Sequence, residues 1–314
     1  MAQIKLTVSI GTYNRPSFIQ KQVRDVLKQL RPGVELRVYD NCSEIPVYSL
    51  FNDDELSKFK IYRNEINIGR DQNQVRSLEN VSEGWVWTLS DDDEITDDAI
   101  DLILSKVDKA SECCYINFGN KVDRNITSFH GLMQYFSITG TFGISFFQSG
   151  CVYNIEKLRS YIFWFNDFLS SQIGQICMVI KYFEYNENAC CLFTTTSLIK
   201  NNRPGGWSPL NLIINSSIII DKYHYKCSEL KSTLFKGIGD MYFTALAGMD
   251  LSLKDFFYYT TYIVQKLGFI NTVRYCFVSF NGHILKRFFP SDIFNAMKRL
   301  VSTRYNKKIN ERAV

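Results

Sequence analysis

Strand-like and helix-like runs alternate along the first 110 residues, and this alternation restricts the chain more than any other feature. Lys5–Ile10 reads as a buried strand, and Pro16 opens a helix predicted to run to about Leu30, because proline suits a first helical turn. Val34–Tyr39 and Phe59–Tyr62 read as the next two strands. A helix from Ile68 to about Val81, a strand at Trp85–Leu89, a helix from about Thr96 and a strand at Cys114–Phe118 complete the series. Such a series predicts an α/β fold with a mostly parallel sheet wound by right-handed crossovers. Sheets of this kind take ligands at the carboxyl ends of their strands. There the sequence places Thr12-Tyr13-Asn14-Arg15, Asp40-Asn41, Arg63-Asn64 and Ser90-Asp91-Asp92-Asp93, four polar groups on one rim.

Composition narrows the class. The 314 residues carry 46% hydrophobic and 22% charged side chains with only 17 glycines and 6 prolines, which excludes a fibrous or disordered chain. No apolar run reaches the roughly 18 residues needed to span a bilayer. The start, MAQIKLTVSIGTYNRP, runs directly into a strand pattern and predicts no secretory leader. The nine cysteines include no C-x-x-C pair and have three histidines for company, which predicts buried free thiols in a reducing cytosol. Eight basic residues against two acidic ones give residues 286–314 a charge of +6, so the chain total of +4 leaves the body slightly acidic. A body of that sign predicts no nucleic-acid partner.

After residue 120 the rhythm changes. Residues 138–153 read as strands around glycines, Ile155–Phe165 and Phe168–Phe183 as helices, and Leu192–Leu198 as a strand before the loop Asn201–Trp207. From about Leu210 only helical patterns occur. The organisation expected is a domain over residues 1–208, with a nucleotide-binding half at 1–110 and an acceptor-side half at 111–208, followed by a helical region with a basic tail at 209–314.

Asp91-Asp92-Asp93 is the sharpest chemical signal. Adjacent carboxylates repel unless a cation compensates them, and oxygen ligands without His or Cys suit Mg²⁺ or Mn²⁺. A solvated acidic turn entering a helix is the other reading, and it also accounts for Glu94, Asp97, Asp98 and Asp101.

VSIGTYNRP, VYDNCS, YRNEINIGRDQNQVRSLE and GWVWTLSDDDEI, in this order and spacing, resemble family-2 glycosyltransferases of the GT-A fold, of the bacterial surface polysaccharide or O-antigen kind. The likeness is strong over residues 4 to about 100 and continues weakly through SGCVYNIEKL and the Arg203–Trp207 loop. It implies a Rossmann-like, mostly parallel sheet flanked by helices, and a metal-dependent, inverting transfer of sugar from a nucleoside diphosphate donor. By the resemblance Thr12, Tyr13, Asn14 and Arg15 wrap the nucleoside, and Asp40 accepts a hydrogen bond from a uracil-type base unless it is an ordinary turn aspartate. Gly69, Arg70, Asn73 and Arg76 match a G-x-x-x-N-x-x-R pattern; positions 69, 73 and 76 share a helix face, beside the nucleotide or in solvent. The resemblance further implies that Asp93 coordinates the metal, Asp91 holds ribose or metal waters, and Asp92 supports them. Asp167 is the candidate base, or else an N-cap of the following helix, with Glu156 and Glu184 behind it. Arg203 and Trp207 close over the donor as a lid around Gly205-Gly206, or form a surface turn with a buried Trp.

Competing readings are a nucleotidyltransferase, for which no Gly-rich phosphate loop is present, and a catalytically silent GT-A domain acting as a binding partner. Ile293, Phe294, Met297, Leu300 and Val301 form an apolar helical stripe beside Lys298, Arg299 and Arg304. That pattern predicts peripheral contact with anionic lipid on the inner face of the membrane, or a lid on the helical core. The expected partners are a nucleotide sugar and a glycan or lipid-linked glycan.

Overall fold

The computed structural model describes residues 5–138, 141–201, 214–223, 228–248 and 253–269. The chain divides into two compact units, Met1–Trp207 and Ser208–Val314.

The first unit is built on an eight-stranded sheet. Its strands are β1 (Leu6–Thr12), β2 (Val34–Asp40), β3 (Lys60–Arg63), β4 (Trp85–Ser90), β6 (Tyr115–Asn117), β7 (Arg124–Ile126), β8 (Cys151–Asn154) and β9 (Cys191–Phe193), in the order β3-β2-β1-β4-β8-β6-β9-β7. The pairs β1·β2, β1·β4 and β2·β3 are parallel, as is β6·β9, while β8 runs antiparallel to both neighbours and β7 to β9. Two short strands, β5 (Glu94–Ile95) and β10 (Ile199–Asn201), form a separate antiparallel pair.

The alternation of β1 decides what covers each face. Leu6, Val8 and Ile10 lie in register with Trp85, Trp87 and Leu89 and belong to one apolar cluster. Helix α1 (Pro16–Leu27) adds Ile19, Val23 and Val26 to that cluster, and α4 (Ala99–Val107) adds Ile100 and Ile103. The other face of β1 carries Thr7, Ser9 and Gly11, and α3 (Arg70–Glu79) packs over it. A Cβ on Gly11 would lie 3.3 Å from the Asn73 amide nitrogen, so this strand and helix approach closely where there is no side chain.

Elements expected from sequence over the first 110 residues appear with small shifts: α1 ends at Leu27 rather than Leu30, and β1 extends to Thr12. Beyond them the reading needs correction. Residues 141–144 form α6 and Gln148–Gly150 a 3₁₀ turn, so only Cys151–Asn154 of the expected strands is one. A Cβ on Gly150 would sit 2.8 Å from the Phe118 carbonyl oxygen; only glycine lets the chain pass there before pairing with β6. The helix expected from Phe168 starts at Gly174 as α9 (Gly174–Tyr185), after a 3₁₀ turn and a left-handed Gln172 (φ 60°). Of the strand expected at Leu192–Leu198 only Leu192 and Phe193 are in one, β9, and the next strand, β10, begins just after it at Ile199.

The described part of the second unit is helical, at Ile218–Lys222, Ser228–Gly248 and Leu253–Leu267. Ile219, Leu230, Leu234, Ile238 and Ile263 are buried, and Lys266 pairs with Asp221 at 2.5 Å. Among the described residues no helix is long and apolar enough to cross a membrane. The apolar stripe at Ile293–Val301 lies outside the described residues.

Candidate active site

The carboxyl ends of β1 and β4 meet at a cavity of ≈ 370 Å³. From β1 and its loop come Ser9, Gly11, Thr12, Tyr13 and Arg15. The loop after β2 contributes Asn41, and the chain around the start of α3 contributes Asn67, Gly69 and Arg70. Farther along that helix Asn73, Gln74 and Ser77 face the cavity, and Ser90, Asp91 and Gln148 close it from the side of β4.

Arg15 organises the acidic triplet. Its Nη1 donates to Asp91 Oδ1 at 3.0 Å and to Asp92 Oδ2 at 2.8 Å, while the Thr12 hydroxyl donates to Asp91 Oδ2 at 2.6 Å. Burial pushes the Asp91 carboxyl above its ordinary value, against Thr12 and Arg15, and Asp92 adds to the rise. Asp93 is 7% exposed and accepts a bond of 2.5 Å from the Ser149 hydroxyl, which itself accepts from the Ser90 amide at 3.0 Å. Burial raises the Asp93 carboxyl too; Ser149 opposes the rise, and Asp92 and Asp91 reinforce it. Among the described residues no Lys or Arg forms an ion pair with Asp93. Among the described residues no three His, Cys, Asp or Glu side chains come together as a group that could hold a metal ion, so Asp93 stands as a buried carboxylate compensated by a hydroxyl.

Four asparagines hold the neighbouring loops in place. Asn64 Nδ2 donates to Asn41 Oδ1 (2.8 Å) and Asn73 Oδ1 (3.0 Å), Asn41 Nδ2 donates to Asn67 Oδ1 (2.7 Å), and Asn73 Nδ2 donates to the Tyr39 carbonyl (2.9 Å). Asn67 Oδ1 also accepts from the amide of Gly69, whose φ of 89° turns the chain into α3. Asn14, left-handed at φ 53°, ties the β1 loop to the β2 loop: its amide donates to Ser43 Oγ, and its Oδ1 accepts from Glu44 N.

The profile of glycosyl transferase family 2 matches residues 7–163, half of the chain and every strand of the parallel half of the sheet. The chain belongs to glycosyl transferase family 2. It is a glycosyltransferase with the GT-A arrangement of a mostly parallel central sheet flanked by helices. Among solved structures it is similar to S. aureus TarS 1–349 in complex with UDP-GlcNAc, at TM-score 0.55 and 14% identity over 84% of this chain and 80% of that one. It is also similar to the mannosyltransferase PcManGT from Pyrobaculum calidifontis in complex with GDP-Man and Mn²⁺, at TM-score 0.51 and 9% identity over 88% of each chain. These two likenesses are of fold. No curated protein matches the sequence.

Within this glycosyltransferase, Thr12, Tyr13, Arg15, Gly69, Arg70, Asn73 and Asp91 of the expected residues come together on the cavity wall. Asp92 and Asp93 stand beside it, and Asn14 acts through the loops. Asp40 does not reach the wall. It is 0% exposed, with Oδ1 accepting from Ser43 N and Oδ2 from Val47 N and Arg63. Arg76 also lies off the wall, because the cavity face of α3 rolls from Asn73 to Gln74 and Ser77. Asp167 is the last residue of α8 (Ile162–Asp167), half-buried and away from the lining. It is not an N-cap, since Ile173 holds that position for α9. Glu156 accepts from Gly84 N, and Glu184 pairs with Lys181 on α9 at 2.7 Å. Arg203 and Trp207 lie outside the described residues.

Ser9, Asn67, Gln74, Ser77 and Gln148 line the cavity without having been singled out in sequence. For Ser9 and Gly11 the signal was present, as the polar alternate of an otherwise apolar β1. Gln148 carries no local signal; pairing of β8 with β4 brings it there.

Proposed function

We propose that this glycosyltransferase moves a glycosyl group from a nucleoside diphosphate sugar to an acceptor hydroxyl, with inversion at the anomeric carbon and a divalent cation, Mn²⁺ or Mg²⁺, at Asp93 and Asp91. The observation that carries the reading is the convergence of Arg15, Thr12 and Asp91 on a cavity beside the buried Asp93. When bound, the cation supplies positive charge against the departing diphosphate.

The chain's own residues do the rest. Thr12 and Arg15 hold Asp91 in one orientation, and Tyr13, 43% exposed on the cavity wall, offers a ring face to the nucleoside. The Arg70 guanidinium, also on the wall, offers charge-assisted hydrogen bonds to phosphate. A base must take the acceptor proton as the glycosyl bond forms, and Asp167 remains the candidate, positioned by α8 packing on α3 through Gln72 and Asn166. In this reading the acceptor is a glycan or lipid-linked glycan of a cell-surface polysaccharide or O-antigen. The C-terminal apolar stripe with its flanking basic residues supports contact with anionic lipid at the inner membrane face.

The test is release of nucleoside diphosphate from a panel of UDP- and GDP-sugars by the full chain. Release that needs Mn²⁺ or Mg²⁺, stops with EDTA and returns with added metal is expected. Turnover indifferent to EDTA overturns the metal, and no release from any nucleotide sugar overturns the donor. Asp167→Asn is expected to lose transfer and keep nucleotide binding.

A further inference from the structure

Of the seven cysteines among the described residues, Cys113 and Cys190 bring their sulfurs to 3.2 Å although they stand 77 residues apart in the chain. Cys113 ends the turn that follows α4, its amide donating to the Ala110 carbonyl at 2.9 Å, and Cys190 ends the turn that follows α9. Both backbones are fixed. Cys114 N donates to the Cys190 carbonyl at 2.9 Å, and Asn154 Nδ2 donates to the Cys113 carbonyl at 3.2 Å. The two sulfurs therefore meet because the sheet holds them there. Burial, with the neighbouring Cys190 thiol, pushes the Cys113 thiol up to about 12, so it keeps its proton at neutral pH.

This pair also stands nearer to solvent than the other buried thiols. Cys114, Cys151, Cys177 and Cys191 are 0% exposed, whereas Cys113 is 4% and Cys190 9% exposed. Each of the two closes a turn whose preceding residues, Ser111 and Glu112 or Glu187 and Asn188, are exposed. Opening of one turn lets a small molecule in. Strands β6 and β4 both pair antiparallel with β8, and β9 runs parallel to β6, so the thiols precede their strands at the sheet edge opposite the cavity.

We propose that Cys113 and Cys190 form a reversible redox pair, which a peroxide closes into a disulfide that ties the turn after α4 to the turn after α9. The more exposed Cys190 sulfur attacks the O–O bond, giving a sulfenic acid and one water that takes the Cys190 proton. The Cys113 sulfur, already in contact, attacks Cys190 Sγ. The S–S bond forms, and the sulfenic hydroxyl leaves with the Cys113 proton as a second water. Two thiols lose two electrons and one peroxide becomes two waters; a dithiol reverses the change. Closing so long a loop restricts the unfolded chain, which makes the oxidised form the more stable one.

The test treats the full chain with hydrogen peroxide or with dithiothreitol, then alkylates it, digests it without reduction and maps linked peptides by fragment-ion mass spectrometry. A Cys113–Cys190 linkage is expected in the folded, peroxide-treated chain and none after dithiothreitol. The oxidised chain should melt about 5 °C or more above the reduced one. Cys113→Ala and Cys190→Ala should each abolish both the linkage and the shift, and Cys114→Ala should leave both; should an alanine variant not fold, the linkage mapped in the unsubstituted chain decides. Four outcomes overturn the proposal: no linkage in the folded chain, linkage through Cys114 or Cys191 instead, linkage that forms only in urea, or an oxidised chain no more stable than the reduced one.

Discussion

The two halves of the large sheet handle buried polarity in opposite ways. In β3-β2-β1-β4 all pairs are parallel, and the carboxyl ends deliver Thr12, Ser90 and Asp91 to a cavity. In β8-β6-β9-β7 the strands are mixed in direction, and the polar groups are sealed among aromatic rings and thiols. Tyr115 donates to the Ser145 carbonyl and lies 3.2 Å from Cys151 Sγ, while its ring packs against Tyr153 and Phe193. Burial pushes the Tyr115 and Tyr153 hydroxyls well above their ordinary values, so neither ionises. Parallel strands turn all their carboxyl ends to one rim, whereas antiparallel neighbours cancel that asymmetry and make a better wall than an opening. The seam is β4·β8, where Ser149 from the sealed half meets Asp93 from the open one.

The largest effect expected is at Asp93. Asp93→Asn should cut turnover by about 10²–10³-fold while the melting temperature holds or rises, since a buried carboxylate has been neutralised. A variant keeping half of wild-type nucleoside diphosphate release would remove the triplet from the mechanism. Next is the seam: Ser149→Ala loses the bond to Asp93 and the acceptor for Ser90 N, and turnover should fall by about 10–100-fold. Unchanged turnover would mean that the halves do not communicate there. Tyr115→Phe, in the sealed half, should cost about 1 kcal/mol in denaturant unfolding and leave nucleotide affinity as it was. A loss of affinity in parallel would break the contrast drawn above.

The smallest effect is at Glu35 on β2, between Arg37 Nη2 (3.0 Å) and Lys60 Nζ (2.7 Å). Burial works to raise its carboxyl, but the two cations outweigh it and hold the group below the ordinary 4.5. A lowered native pKa stabilises at pH above 4.5, and the gain is lost as pH falls through the native value. Glu35→Gln should therefore cost about 0.5 kcal/mol near neutral pH and converge with wild type in acid. Stability curves that stay parallel down to low pH would show that the pair contributes nothing.

How much could be read in advance follows from how local each signal is. Apolar alternation in β1, β2 and β4, and Pro16 opening α1, act within a few residues, and so these elements were legible. So were Thr12, Arg15 and Asp91, because strand direction alone carries them to one rim. Residues 138–153 misled because glycines among aromatics suit strands and tight turns equally, and the Gly150 passage against Phe118 is a contact between distant segments. The start of α9 was not legible, because a helix boundary set by Gly174 against Phe165 cannot be seen from the capping pattern of Asn166 and Asp167.

By itself, then, the sequence determined the alternation of strands and helices over the first 110 residues and the polar rim at the strand ends, since these follow from side-chain period and residue type. Tertiary structure alone decided that Asp40 is spent on Arg63 and its own loop, away from the cavity. It likewise decided that Ser149 supports Asp93 across 56 residues of chain. Whether a polar group is satisfied depends on what the fold brings within about 3 Å of it, and no local pattern records that distance.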